Sequence, residues 1–288
     1  MMKKRVIICA GIIAMTLSVP VFADDITVRT KDGEMTFTEG EAVDVTTGEL
    51  TNKIKEAISD TINVSAAFTA KGIVNMNLGE SPMSMSGSAE GTIDSYGNNV
   101  HSYVSYDTDL MGQQNKGIYE TYSWTDGDQA YSATRTMDEW NISETVSVST
   151  AFSEAAEKLD DDTFKGFVVR PHFYEKDGER YYACVCDSQT LIDTMGDMEE
   201  TAGYVETVKG IVGDNDFNVT VMVNVETGIP YVFSVDASGA KGDFSGEMLG
   251  MNGVVTYTCD DLYATAVIEA CTDEIEVPEE ILELAKSK

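Results

Sequence analysis

Histidine occurs only twice, at His101 and His172. A Ser-His-Asp hydrolase would have to recruit one of them, yet no G-x-S-x-G turn is present to carry a nucleophile. His172 follows Arg170-Pro171 at the end of a strand-like run, which is a surface position. No His or Cys pairs stand at zinc-ligand spacing apart from Cys184 and Cys186, two apart, and no CxxC redox pair exists. Asp214-x-Asp216-x-Asn218 imitates the opening of a calcium loop. It fails where the loop needs Gly and Glu, because Val219 and Val225 stand there. No cofactor, metal site or catalytic constellation is therefore expected, and the chain reads as a non-enzyme.

Positive charge is also scarce, with 19 Lys and Arg against 50 Asp and Glu and a net charge of −31. Nucleic-acid binding needs clustered cations, and adsorption to an anionic lipid surface needs them too. Both are excluded. Proline is rare at 5 residues, and no Pro-, Gly- or Ser-rich linker separates two domains. One domain with many antiparallel strands and two or three helices is the economical α+β reading.

Long apolar runs are missing except at the start. Lys3-Lys4-Arg5 precedes an apolar stretch from Val6 to Leu17, and Val21-Phe22-Ala23 offers small side chains at a cleavage site. A bilayer-spanning helix needs about 20 residues, so 1–23 reads as a secretory signal and the mature chain starts at Asp24. Cys9 lies too early in the run to be a lipid-attachment cysteine. The mature chain keeps 16 basic residues against 50 acidic, a net −34, and is expected outside the cytoplasm as a secreted protein without a lipid anchor. Four cysteines survive processing: Cys184, Cys186, Cys259 and Cys271. An even count in an exported chain permits two disulfides in three connectivities, with reduced core thiols as the alternative. Cys184 and Cys186 would share one face of a strand and are poorly placed to bond each other.

Residues 24–45 read as an N-terminal extension containing a small hairpin around Asp32-Gly33. Residues 46–288 form the single domain. Thr46 or Thr47 caps a helix with Leu50, Ile54 and Ile58 on one face. Alternating strands follow through Ile62, Phe68, Ile73 and Leu78. Ser149 or Thr150 caps a second helix, and Asp187 or Ser188 caps a third, longest one carrying Leu191, Met195, Met198, Ala202, Val205 and Val208. Asn252-Gly253 signals a type I′ hairpin turn. Pro278 opens a short terminal helix.

The aromatic stretch from Val100 to Ser143 concentrates Tyr103, Tyr106, Tyr119, Tyr122, Trp124, Tyr131 and Trp140 at strand spacing. Tyr122 and Trp124 share one face with Glu120, while Tyr119 points to the other. Both faces thus carry something large, whereas a sheet with one solvated face alternates more cleanly. Something is therefore expected to cover or enter the concave side. Methionines scattered over the strands and the third helix can fill irregular core space or adapt to a variable ligand.

Three local features, the hairpin YSWTDGDQAY followed by Glu139-Trp140, the hairpin NVETGIPYVFSVD at 224–236 and the ending IEVPEE at 275–280, resemble the LolA-like exported proteins, and in particular a branch from Gram-positive bacteria. The resemblance runs from about Gly48 to Ala285. It implies a strongly curved antiparallel sheet, an incomplete β-barrel, with two or three helices packed on the concave side. It also implies an apolar cavity between sheet and helices that holds acyl chains or another hydrophobic ligand. Candidate lining residues are Tyr103, Tyr106, Tyr122, Trp124, Tyr131, Trp140, Met195 and Met198. The partner is then a lipid or hydrophobic small molecule, and no transmembrane segment is expected. The alternative is a cell-surface module that uses the aromatic sheet face for a protein or glycan. Intact-mass and N-terminal analysis of protein recovered from outside the producing cell should begin at Asp24; a chain that still starts at Met1 would overturn the export reading.

Overall fold

The computed structural model describes residues 25–60, 63–78, 81–136, 139–158, 167–189, 218–248 and 251–286. The signal segment 1–23, the third helix with Met195 and Met198, and the Asp214–Asp216 turn lie outside the described residues. The strands are β1 (Ile26–Thr30), β2 (Gly33–Ala42), β3 (Val64–Leu78), β4 (Ser81–Tyr96), β5 (Asn99–Leu110), β6 (Gln113–Asp126), β7 (Gln129–Thr136) and β8 (Glu139–Thr145). After them come β9 (Val168–Lys176), β10 (Glu179–Asp187), β11 (Asn218–Asn224), β12 (Pro230–Asp236), β13 (Lys241–Met248) and β14 (Met251–Ala270). Helices α1 (Thr47–Asp60), α2 (Val148–Lys158) and α3 (Glu279–Lys286) interrupt or follow them.

All fourteen described strands join one antiparallel sheet in the order β1-β2-β9-β10-β11-β12-β14-β3-β4-β5-β6-β7-β8, with β13 also on β14. Its ends are β1 and β8, so the sheet is open. The last strand, β14, lies between β12 and β3 and ties the two halves of the chain together. A bulge at Asp260 shifts its register between Cys259 and Asp261. Such an extra residue reverses which side chains point to which face beyond it.

One face of the sheet packs on α1. Thr46 and Glu49 form the capping box: the Thr46 backbone N–H and hydroxyl both donate to Glu49 Oε2 at 2.8 Å, and the Glu49 N–H donates to Thr46 Oγ1 at 3.2 Å. Those hydrogen bonds, the backbone one first, hold the Glu49 carboxyl below its ordinary value. The helix then buries Leu50 and Ile54 against Cys184, Val219, Val221, Val223, Val235 and Tyr257. Helix α2 lies beside α1. Its cap is Ser147, whose Oγ accepts from the Thr150 N–H at 3.1 Å. The helix thus starts ahead of the expected Ser149 or Thr150, because Val148 is drawn into the core.

The opposite face is covered at its two flanks. On one flank the β1–β2 hairpin folds over the sheet, pressing Val28 and Phe37 onto Tyr174, Tyr181, Ala183, Met222 and Val232. Arg29 fixes it there, with Nε 3.0 Å from Asp236, Nη1 2.7 Å from Asp261 and the guanidinium over the Tyr263 ring. Residues expected as a short charged extension therefore contribute a fully buried phenylalanine. On the other flank α3 sets Ile281 onto Trp124, Ala133 and Ile142. Among the described helices, α1 and α2 thus lie on one side of the sheet and α3 on the other. Asn252 and Gly253 do not make a turn either: they pair with Glu247 and Gly246 inside the β13–β14 ladder.

Four cross-strand partners pair a large side chain with a glycine: Phe68 with Gly91, Tyr106 with Gly117, Leu262 with Gly72 and Tyr257 with Gly242. In each pair the large group lies over the glycine, since a Cβ there would meet it within 3.1 Å. Gly91 is the tightest: its Cβ would lie 2.0 Å from the Tyr103 carbonyl oxygen and 2.9 Å from Phe68 Cζ. Glycines of this kind let a sheet bend. Gly91→Ala should cost about 1–3 kcal/mol or more in urea unfolding. Gly87→Ala, whose Cβ meets Thr108 Cγ2 at 3.4 Å, should change stability by no more than about 0.5 kcal/mol; equal effects would refute the close approach at Gly91.

Candidate functional site

The aromatic stretch divides between the two faces. Residues opposite each other in a ladder share a face, so the register from β14 through β8 can be followed pair by pair. Tyr103, Tyr122, Trp124, Tyr131 and Trp140 lie on the hairpin face, and Tyr106 and Tyr119 on the α1 face. The expected cavity set is thus not brought together as one lining.

On the hairpin face, Trp124 and Tyr131 stack at 5.5 Å beneath Ile281 of α3, and Trp124 is only 4% exposed. These rings are core. Beside them the His101 ring stacks on Tyr122 at 4.3 Å, and Tyr122 meets Trp140 edge-on at 5.8 Å. Glu120 gathers this group, with Oε1 3.1 Å from His101 Nε2 and Oε2 3.5 Å from Arg135 Nη1. Burial, and then the neighbouring Glu120 charge, push the Tyr122 hydroxyl above its ordinary value. Arg135 lies over Trp140 at 5.7 Å. Tyr103 stays open to solvent at 37% exposure.

The α1 face of the long strands has a different character. From Ile268 to Tyr257 on β14, successive rows across β3, β4, β5 and β6 read Ile268-Ala66-Ile93-Ser102, Ala266-Phe68-Gly91-Val104-Tyr119, Ala264-Ala70-Ala89-Tyr106-Gly117, Leu262-Gly72-Gly87-Thr108, Cys259-Val74-Met85-Leu110 and Tyr257-Met76-Met83. No Asp, Glu, Lys or Arg appears in any of them. The charges of these strands, Lys71, Glu90, Asp94, Asp107, Asp109, Lys116, Glu120, Asp126, Asp261 and Glu269, fall in the alternate register, and the bulge residue Asp260 turns the same way, accepting from Asn75 Nδ2 at 2.6 Å. Phe68, Ile93, Val104 and Tyr119 are half-buried and Tyr106 is exposed. With rings laid flat over Gly91 and Gly117, this is a smooth apolar floor running away from α1.

Beyond the Ile268 row, and along that row toward β7, the floor becomes hydroxylic, while the Phe68 row runs on through Thr136 to Glu139 at β8. Ser95, Val100, Ser123 and Ser132 make one row, and Ser102, Thr121 and Thr134 the next. The hydroxyls of Ser95, Thr121 and Thr125 are sealed from solvent without a hydrogen-bond partner. An unmet buried hydroxyl costs about 1–3 kcal/mol. At the opposite end the floor reaches the exposed Leu110 and Met111, 53% and 57% exposed, beside an open hollow of about 490 Å³ bordered by Pro82, Met83 and Asp109. The sequence reading missed both ends. The signal was there in the parity of charged residues from 64 to 123, not in the aromatics.

The four cysteines are free thiols. Cys184 and Cys186 on β10 and Cys259 on β14 share the α1-side core, but β11 and β12 lie between the strands. That places them roughly 14 Å apart across the sheet, beyond disulfide reach of about 7 Å between Cα atoms. Burial pushes the Cys184 thiol up to about 12.

No protein-family model matches the chain. No curated protein sequence matches it either. Among solved structures, a LolA superfamily protein from Nitrosomonas europaea aligns at 11% identity over 83% of this chain and 97% of that one, with a TM-score of 0.21. A DUF1329 family protein from Desulfovibrio piger aligns at 11% identity over the same shares with a TM-score of 0.25. A putative outer membrane lipoprotein-sorting protein domain from Vibrio parahaemolyticus aligns at 6% identity over 82% and 96%, with a TM-score of 0.23. At these scores the superpositions carry no argument for this chain, and a Gram-positive branch finds no support among them.

If α3 is the element that makes the Trp124 side of the block a core, Ile281→Ala should destabilise the protein by about 2–4 kcal/mol. Its tryptophan emission should shift to the red as Trp124 becomes wet. An unshifted spectrum with unchanged stability would refute the assignment.

Proposed function

We propose that this is an exported, non-enzymatic binding protein that holds a lipid or other hydrophobic ligand between the α1 face of a strongly curved sheet and the helices on that concave side. The observation that carries the reading is the charge-free floor. In a chain with 24% charged residues, five neighbouring strands send every charge to one face. Apolar surface left half-buried and unbroken by charge is what an acyl chain needs, because a charge against it would have to be desolvated. The sequence resemblance to LolA-like carriers accords with it. Both histidines are engaged with glutamates, His101 with Glu120 and His172 with Glu39 at 2.7 Å, which speaks for structural roles. The competing use of the aromatic face for a protein or glycan has less behind it, because Ile281 already occupies the deepest of those rings.

Wild-type protein purified from its native source should carry an amphiphile by native mass spectrometry. After delipidation it should bind N-phenyl-1-naphthylamine. Ala89→Asp, which puts a charge on the floor, should weaken that binding at least tenfold, whereas Ser88→Asp on the other face should not. A clean apo protein that binds no such probe would sink the proposal.

A further inference from the structure

The floor is itself amphipathic, and this points to the chemical class of what it holds. We infer that the ligand is an uncharged amphiphile, its polar end set among the hydroxyls of Ser95, Thr121 and Thr125 and its tail running over Phe68 and Tyr106 toward Met85 and Leu110. The inference rests on the binding reading above and narrows it.

Two independent observations carry it. The first is electrostatic. Across β14, β3, β4, β5 and β6 the described floor holds no cation to meet a carboxylate or phosphate and no anion to meet an ammonium; the first charge on that face is the exposed Glu139 on β8, two strands beyond β6. Lys53 of α1 is already engaged on the other flank, where its Nζ donates to the Val225 carbonyl and lies over Tyr182. A charged head drawn onto this surface would be desolvated with no compensation. The second is the set of orphaned hydroxyls. Ser95 is 2% exposed, and its hydroxyl, like those of Thr121 and Thr125, lacks any partner. All three lie on the α1 face, Thr121 at the end of the Ile268 row and Ser95 and Thr125 in the two rows beyond it, and Ser102, Ser123 and Ser132 flank them in register. Neutral hydroxyls donate to and accept from an ester carbonyl, an amide or an alcohol without a change of charge. The other end of the floor, with Met76, Met83 and Met85, offers deformable thioethers suited to the varied ends of hydrocarbon tails. A hydroxyl end and an apolar end, with no charge between, match a monoacylglycerol-like or long-chain alcohol-like molecule.

The test compares three probes of equal chain length on the delipidated full chain by isothermal calorimetry: 1-monooleoylglycerol, oleate and oleylamine. The expected result is monooleoylglycerol at least tenfold tighter than either charged probe, with little dependence on salt. Ser95→Ala combined with Thr121→Val removes two of the hydroxyls at nearly constant volume. That variant should lose about tenfold toward monooleoylglycerol and keep its affinity for N-phenyl-1-naphthylamine, which has no such head to satisfy. Oleate or oleylamine binding as tightly as monooleoylglycerol would overturn the inference while leaving the binding reading intact. So would a double variant that gains thermal stability and keeps full preference for the neutral head, since the hydroxyls would then be packing faults and nothing more. Failure of all three probes and of the naphthylamine would instead remove the binding reading itself.

Discussion

The unbroken ladder from β3 to β8 is the constraint on which the rest depends. Side chains alternate faces with a period of two, so a slip of one residue would exchange the faces of an entire strand. Here the pairing runs without a shift from Val64–Ser95 through Ala133–Ile142. Every charge in the long strands therefore keeps the same side. The only irregularity near the floor is the Asp260 bulge in β14, and it lets Cys259 and Leu262 face the same core although they are three residues apart. Without the bulge, one half of β14 would present Asp261 and Tyr263 to α1.

That sorting also explains why the aromatic stretch carries rings on both sides. The two sides answer to different elements. Trp124 and Tyr131 serve the attachment of a one-sided terminal helix, in which Ile281 is the buried anchor. Tyr106, by contrast, spends its ring covering the bare backbone of Gly117. Loaded faces on a strand are usually a sign of burial on both sides. Here the hairpin face is capped only at its flanks, by Phe37 with its neighbours and by Ile281, and charged and hydroxyl residues fill the middle.

Much of the local architecture was legible in the sequence because it rests on local chemistry. Thr46, one of the two caps the sequence offers, opens α1, the fourfold spacing of Leu50 and Ile54 gives the buried stripe, and Pro278 opens α3 as its fixed φ suggests. The failures are of a different kind. Asn252-Gly253 is a strong turn signal, but the pairing of β13 with β14 places both residues within the ladder, so tertiary register overrides the dipeptide. Ser147 displaces Ser149 as a cap because burial of Val148 sets the start of the helix. The aromatic candidates among the expected lining residues stand out by size, and size does not say which face a strand turns toward which helix; Met195 and Met198 lie outside the described residues. Residues with small side chains, Gly72, Gly87, Ala70 and Ala89, define the floor just as much. They are invisible to a search for large groups, yet the charged positions between them alternate faithfully enough to have revealed it.

The acidity of the chain and its apolar floor follow from one arrangement. A net charge far from zero keeps a protein dispersed through repulsion between molecules. That protection works only if the charges are exposed, and here those of β14 and β3 to β6 are gathered on the face that the hairpin and α3 leave open in its middle. The α1 face of the same strands can then stay free of charge without forcing the molecule into aggregates. Spreading the carboxylates over both faces would leave solubility unaltered and destroy the floor. Removing them altogether would keep the floor and leave the flat edge of β8 beside an uncharged sheet, a surface prone to strand-to-strand association. The segregated pattern is the one that lets a strongly acidic chain keep one sheet face free of charge.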